Sequence, residues 1–150
     1  MFGFNNKKNN NKAFTIVELL VVIAIIAVLL AVVSSLWGDS KKKSRDARRE
    51  EDIKEIQNAL NLYVTNAHIY PICPQTVMNG STDCLSTALV GGGFISMIPV
   101  DPLNGFSGTC GAVNEHVYCY TSDGFTYTIE YSLETDNILG KSAGWQSVAQ

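Results

Sequence analysis

A chain of 150 residues with a formal net charge of −3 allows one small folded domain. One long apolar segment near the N-terminus takes up part of that length, so only about eighty residues are left to build a soluble core. Beyond residue 66 a single base, Lys141, stands against seven acids: Asp83, Asp101, Glu115, Asp123, Glu130, Glu134 and Asp136. This acidic balance argues against a dedicated DNA-binding domain.

Residues 1–13 form a polar, Asn-rich segment with Lys7, Lys8 and Lys12 and no acid. They predict a leader, because the apolar part of the sequence follows them. The alternative is an ordinary secretory signal cleaved after the apolar run. That run is too long for such a signal, and no small-x-small site precedes the charges that follow it.

The apolar run occupies residues 14–36, where the only polar residues are Thr15, Glu18, Ser34 and Ser35. As a helix it is about 34 Å long, enough to cross a bilayer core of roughly 30 Å. A carboxylate inside a spanning helix indicates a functional site by default, and its natural partner is a positive charge at the same depth. The alternative for Glu18 is a tolerated acid that reaches water at the interface.

Residues 37–66 are highly charged and continue the helical pattern. Ile53, Ile56, Leu60 and Tyr63 recur at helical spacing and form one apolar face. We therefore predict one helix over 14–66, ended by the turn before Pro71. The basic cluster within residues 41–49 is interleaved with acids, which favours a solvated face with ion pairs over a nucleic-acid or lipid site.

Four cysteines, Cys73, Cys84, Cys110 and Cys119, all lie in the C-terminal part of the chain. Their spacing does not fit the usual zinc or redox motifs, and an even number in a small domain indicates disulfides and an exported location. Three pairings are possible. We favour Cys73–Cys84 and Cys110–Cys119, since each closes a short loop.

The remaining pattern predicts a small antiparallel sheet. Residues 85–90 suggest a short helical turn, and residues 117–121 and 125–132 alternate on either side of a Ser-Asp-Gly turn, which predicts a hairpin. A second turn at 134–137 leads to a last short strand near 138–139. The expected fold is α+β, with a long N-terminal helix packed on this sheet.

One stretch resembles a known family. Residues 12–26, Lys-Ala-Phe-Thr-Ile-Val-Glu followed by an apolar run, are similar to the class III signal of type IV pilins and type II secretion pseudopilins. The resemblance implies that a prepilin peptidase cleaves between Ala13 and Phe14, that Phe14 is N-methylated, and that Glu18 sets the register of packed helices. The family usually has Gly where this chain has Ala13. Residues 94–102, ending in Pro-Val-Asp-Pro, resemble a segment of major pseudopilins.

The resemblance also implies the organisation of the chain. Residues 1–13 would be the leader, 14–36 the transmembrane and assembly helix, 37–66 its amphipathic continuation, and 67–150 a disulfide-stapled exported β domain. The precursor would cross the cytoplasmic membrane once, with the leader inside and the C-terminal domain outside. It would then join an extracellular or periplasm-spanning filament.

The partners implied are copies of the same chain, the prepilin peptidase and an assembly platform in the cytoplasmic membrane. We expect a structural filament subunit and no enzyme, because no catalytic constellation is present. The alternatives are a pseudopilin of a type II secretion system, or a minor tip pilin that binds DNA or a surface. Nucleic-acid binding is disfavoured for the acidic head and stays open for the filament.

Cofactors are not expected, with one exception. In pseudopilins a calcium ion can sit in the loop after the Asp-Pro segment, so the resemblance makes Asp101 and Asp123 candidate ligands. The alternative is that Asp101 caps a turn and Asp123 belongs to the hairpin. His68 and His116 are far apart in sequence and lack other ligands nearby, and Asn79 begins a glycosylation sequon that an Asn-Gly turn explains equally well.

Overall fold

The computed structural model describes residues 14–103 and 105–150, except for the side chains of residues 34–36. The leader predicted for residues 1–13 lies outside the described residues. By internal contacts the chain divides into two units, Met1–Gly38 and Asp39–Gln150.

Helix α1 spans Ile16–Ala67, which confirms the helix predicted over 14–66. At its end the amide of His68 donates to the carbonyl of Val64 at 2.8 Å, and His68 then takes a left-handed φ of 62°. The left-handed residue stops the helical hydrogen-bond pattern, and Tyr70 before Pro71 follows in extended chain.

In the first unit, residues 16–33 of α1 are apolar apart from Glu18. Ile16 to Val33 are all exposed in the single chain, including Ile23 and Leu30 at 56% and 63%. α1 is the one helix among the described residues that is long and apolar enough to cross a membrane. A helix that is hydrophobic all round requires burial in lipid or among other helices, which agrees with the predicted membrane segment.

The second unit is built on a four-stranded antiparallel sheet in the order β1-β2-β3-β4. The strands are β1 (Cys73–Val77), β2 (Cys119–Ser122), β3 (Tyr127–Leu133) and β4 (Gly144–Ala149), and a short helix α2 (Cys84–Gly91) lies between β1 and β2. β2 and β3 pair from Cys119 with Glu130 to Ser122 with Tyr127, which confirms the predicted hairpin. The described chain is therefore α+β and pilin-like.

The core of the second unit lies between the C-terminal part of α1, helix α2 and one face of the sheet. Ile53, Ile56 and Leu60 are at most 2% exposed, as their helical spacing predicted. Tyr63 is partly buried and packs edge-on against Phe94, with ring centroids 5.3 Å apart. The other buried members include Leu85, Leu89, Tyr120, Tyr127, Ile129 and Tyr131.

The prediction of a last strand near residues 138–139 is wrong. Leu139 is fully exposed, and β4 begins at Gly144, where its register places Gly144 opposite Leu133. The loop between β3 and β4 is longer than predicted because side chains hold it: the amide of Ala143 donates to Asp136 at 2.6 Å. Strand β1 was not predicted at all.

Candidate assembly site

The start of α1 carries a reciprocal pair of hydrogen bonds between Thr15 and Glu18. The amide and the hydroxyl of Thr15 donate to Oε2 of Glu18 at 3.0 and 2.9 Å, and the amide of Glu18 donates to the Thr15 hydroxyl at 3.2 Å. This is a capping box, in which the Glu18 carboxylate accepts the amide of Thr15 and the Thr15 hydroxyl accepts the amide of Glu18. Two backbone amides at the start of the helix are thereby paired. The Thr-x-x-Glu spacing is a sequence signal that could have predicted it.

The capping box leaves half of the carboxylate free. Oε1 of Glu18 has no hydrogen-bond or ion-pair partner involving the described residues, and the side chain is exposed on the surface of the helix. Phe14, the residue expected at the new N-terminus, is 81% exposed. The other side of the expected cleavage site, Ala13, lies outside the described residues. The arrangement fixes one carboxylate oxygen and presents the other to a partner.

In the second unit, Arg49 of α1 is completely buried among three carboxylates. Its guanidinium donates to Asp101 at 2.6 and 3.0 Å, to Asp46 at 2.7 Å and to Glu134 at 2.8 Å. Burial by itself would lower the pKa of Arg49, but the hydrogen bonds to these acids outweigh it and raise that pKa. The guanidinium therefore stays charged and ties α1 to two separate loops.

Glu134 and Asp46 complete this charge cluster. Arg45 donates to both carboxylate oxygens of Glu134 at 2.7 and 2.6 Å. That hydrogen bond, together with Arg49, lowers the pKa of Glu134 to about 2 against the opposing effect of burial. Asp46 accepts the amides of Glu134 and Thr135, both at 2.9 Å. The prediction of a solvated helix face is thus wrong for Asp46 and Arg49, which are buried because Arg49 meets the acids Asp101 and Glu134 and Asp46 meets the backbone amides of the loop after β3.

The two candidate calcium ligands have different partners. Oδ1 and Oδ2 of Asp101 both accept from Arg49, and Oδ1 also accepts the amide of Leu103 at 2.8 Å. Asp123 is exposed and accepts the amides of Phe125 and Thr126 in the hairpin turn, which lowers the pKa of its carboxyl. Calcium binding by this pair stays a prediction, and the ion would compete with Arg49 for the carboxylate of Asp101.

The other candidate ligand residues are dispersed. Within residues 14–103 and 105–150, no group of three or more His, Cys, Asp or Glu side chains is placed to hold a metal ion. His68 is exposed at the end of α1, whereas Nδ1 of His116 lies 3.2 Å from the carbonyl of Ser132. Oδ1 of Asn79 accepts the amides of Ser81, Thr82 and Asp83, so the sequon forms a turn before α2.

The four cysteines form two disulfides. Cys73 is bonded to Cys84, which joins β1 to the start of α2, and Cys110 is bonded to Cys119, which ties a loop to the start of β2. These are the two pairings that we favoured from the sequence, because each closes a short loop. Bonds across loops of about ten residues each stabilise a small domain by about 3 kcal/mol in the chain-entropy model.

Comparison with protein-family models adds one decisive observation. Residues 8–34 match the model described as the prokaryotic N-terminal methylation motif. The chain carries a prokaryotic N-terminal methylation motif. The matched residues include the leader end, Phe14 and Glu18, and they support the type IV pilin and pseudopilin family. Comparisons with curated proteins and with solved structures found no match.

The methylation motif and the apolar part of α1 together fit a membrane-anchored precursor. The motif implies processing by a prepilin peptidase and assembly into a pilus or a secretion system. The match covers residues 8–34 only, and the second unit lies outside it.

Proposed function

We propose that this chain is the structural subunit of a type IV pilus-like filament. It is inserted in the cytoplasmic membrane, cut between Ala13 and Phe14, methylated on the new amine of Phe14, and polymerised through the N-terminal part of α1. The filament is a homopolymer, and the subunit has no enzymatic role.

The capping box is the observation that carries this proposal. Cleavage before Phe14 leaves the box intact, because both of its members, Thr15 and Glu18, belong to the mature chain. Oε2 of Glu18 then stays bonded to Thr15, while Oε1 accepts a hydrogen bond from the Phe14 amine of a neighbouring copy. A buried acid costs several kcal/mol unless it is paired, so only the register that supplies this amine avoids the penalty.

Apolar burial supplies the rest of the driving force. The exposed apolar side chains of α1 are covered by lipid in the precursor and by other copies of the helix in the filament. Lipid is nearly as apolar as the helix surface, so the ion pair provides specificity where apolar contact provides little.

Mass spectrometry of filaments sheared from cells tests the proposal. An abundant N-terminal peptide that begins at N-methylated Phe14 is the expected result. A protein that occurs only in membranes and still begins at Met1 would contradict processing and polymerisation together.

Substitution of Glu18 tests the mechanism of assembly. Glu18→Gln keeps an oxygen that accepts the Thr15 amide and removes only the charge, so we expect normal membrane insertion and a strong loss of filaments. Glu51→Gln is the matched control, because Glu51 is an exposed acid of the same helix in the second unit. Filament yield is measured in the sheared fraction against total protein. A wild-type yield from Glu18→Gln would refute the ion-pair mechanism.

A pseudopilin of a type II secretion system is the second candidate, favoured by the segment at residues 94–102 that ends in Pro-Val-Asp-Pro. The two disulfides in the second unit instead favour the first candidate, a pilus subunit exposed to the exterior. Deletion of the chain distinguishes the two, because loss of surface filaments indicates a pilus and retention of secreted proteins in the periplasm indicates a pseudopilus.

A further inference from the structure

A surface cavity of about 500 Å³ lies in the second unit. Its walls come from α1, the end of β3, the start of β4 and the loop closed by the Cys110–Cys119 disulfide. The polar and aromatic side chains in these walls are Lys42, Asn114, His116, Ser132, Glu134 and Trp145.

The aromatic wall of the cavity is held in a fixed orientation. The indole nitrogen of Trp145 donates to the carbonyl of Ala112 at 2.9 Å, so the ring is anchored by its edge. Aromatic rings placed in this way offer a flat apolar face to a ligand at little cost in side-chain entropy.

Polar groups with unused hydrogen-bonding capacity lie beside this ring. The ammonium of Lys42, the side-chain amide of Asn114 and Nε2 of His116 have no partner involving the described residues. Nδ1 of His116 faces the carbonyl of Ser132 and must donate to it, so in the neutral ring Nε2 is an acceptor. The cavity therefore offers a cation, an amide that donates and accepts, and an imidazole acceptor.

Asn114 also has an unusual backbone. Its φ is 61°, in the left-handed region that few residues other than glycine adopt, although asparagine tolerates it best. Such conformations persist where the surrounding structure enforces them, and they concentrate at binding sites. Here the disulfide between Cys110 and Cys119 closes the loop that holds Asn114 at the cavity.

The exposed charge at the cavity indicates the sign of the ligand. Glu134 is the acid among the lining residues, and it is paired with Arg45 and Arg49 in a cluster whose three carboxylates, Asp46, Asp101 and Glu134, exceed its two guanidinium groups by one charge. Lys42 has no such counter-charge among the described residues, and Lys41 and Lys43 beside it in the sequence are exposed as well. The exposed charged group that lacks an ion-pair partner among the described residues at this cavity is therefore the ammonium of Lys42.

We propose that this cavity binds an acidic saccharide, such as a uronic-acid unit of a surface polysaccharide. The apolar face of the sugar ring packs on Trp145, its hydroxyls bond to Asn114 and His116, and its carboxylate pairs with Lys42. A nucleic acid is disfavoured, because there is one aromatic ring, one lining cation and an acidic domain around them. The site does not depend on how the N-terminal helix assembles.

Titration of the full mature chain in detergent tests the site. The probes are a tetramer of galacturonic acid, the corresponding neutral galactose tetramer and a thymidine oligonucleotide. In a Trp37→Phe background the single remaining tryptophan, Trp145, reports binding by fluorescence. We expect saturable quenching by the acidic tetramer and binding about three- to fivefold weaker for the neutral one.

Matched variants identify the contacts. Lys42→Ala removes the preference for the acidic probe, whereas Lys41→Ala, which changes an exposed lysine outside the cavity lining, leaves it unchanged. Asn114→Gly removes the amide while keeping the left-handed backbone, so it weakens both saccharides without loss of folding. The proposal is overturned if neither saccharide gives saturable quenching, if Lys41→Ala and Lys42→Ala act alike, or if the oligonucleotide binds more tightly than the acidic tetramer.

Discussion

Replacing Arg49 should destabilise the second unit far more than replacing its neighbours in the same helix. The Arg49 side chain is 0% exposed and its loss by Arg49→Met leaves Asp46 and Asp101 buried without a counter-charge. Removing one partner of a buried ion pair costs about 3–5 kcal/mol. A domain of this size has a total stability of about 5–15 kcal/mol, so about a fifth of it or more would be lost.

Arg48 and Arg45 provide a graded control. Arg48 is 65% exposed and lies 3.9 Å from Asp52, so Arg48→Met should cost about 0–1 kcal/mol. Arg45 is 27% exposed and donates twice to Glu134, so its replacement should fall between the other two.

Thermal unfolding of the mature chain in detergent, followed by near-ultraviolet circular dichroism, measures the series. The expected loss for Arg49→Met corresponds to a Tm lower by on the order of 15 °C. Equal Tm values for Arg48→Met and Arg49→Met would refute the assignment of a buried charge cluster.

Three further predictions concern single contacts. Thr15→Val removes the capping hydroxyl and keeps the charge of Glu18, so we expect faster amide exchange in the first turn and a helix destabilised by about 1 kcal/mol. Filaments should still form. A loss of filaments equal to that of Glu18→Gln would contradict separate roles for the Thr15 hydroxyl in capping and the Glu18 charge in assembly. The pKa of the Glu134 carboxyl is lowered from 4.5 to about 2, so its contribution to stability is complete above about pH 4.5 and is lost as the pH falls toward 2. In an acid titration of stability, Glu134→Gln should lack the part of the decrease that falls in this pH range. Gly124→Ala should lower the denaturant midpoint of unfolding, because φ is 97° there and a Cβ would lie 3.0 Å from a side-chain carbon. Gly91→Ala is the control, because a Cβ at Gly91 meets no atom within 4 Å, and it should not lower the midpoint. Equal midpoints for the two variants would contradict backbone strain at Gly124.

The sequence predicted those parts of the fold in which local pattern and tertiary packing agree. Ile53, Ile56 and Leu60 repeat at the helical period, and the same residues form the buried face of α1. The hairpin was predictable because its turn residues and the alternation of its strands point to one register. Glu18 stays a predicted assembly residue, and the prediction rests on the cost of inserting an acid within an apolar run long enough to span a membrane.

The remaining elements depend on contacts between distant residues. β1 contains two consecutive exposed residues and a register shift between Cys73 and Thr76, so it lacks a clean alternation. β4 is polar or half-exposed along most of its length, and its position is set by pairing with β3 rather than by its own pattern. The cavity beside Trp145 is assembled from four separate segments, which no local pattern brings together.

The charges of α1 illustrate the same limit and explain the acidic composition of the domain. Arg45 pairs with Glu134, and the one base beyond residue 66, Lys141, pairs with Glu50 of the helix at 2.7 Å. The acid surplus that argued against nucleic-acid binding is therefore partly the counter-charge of the helix. A domain separated from these helical residues would keep the carboxylate of Glu134 and lose the guanidinium groups that neutralise it. The helix from Asp39 onward is thus part of the folding unit, which it joins through Arg45 and Arg49 as well as through its apolar face.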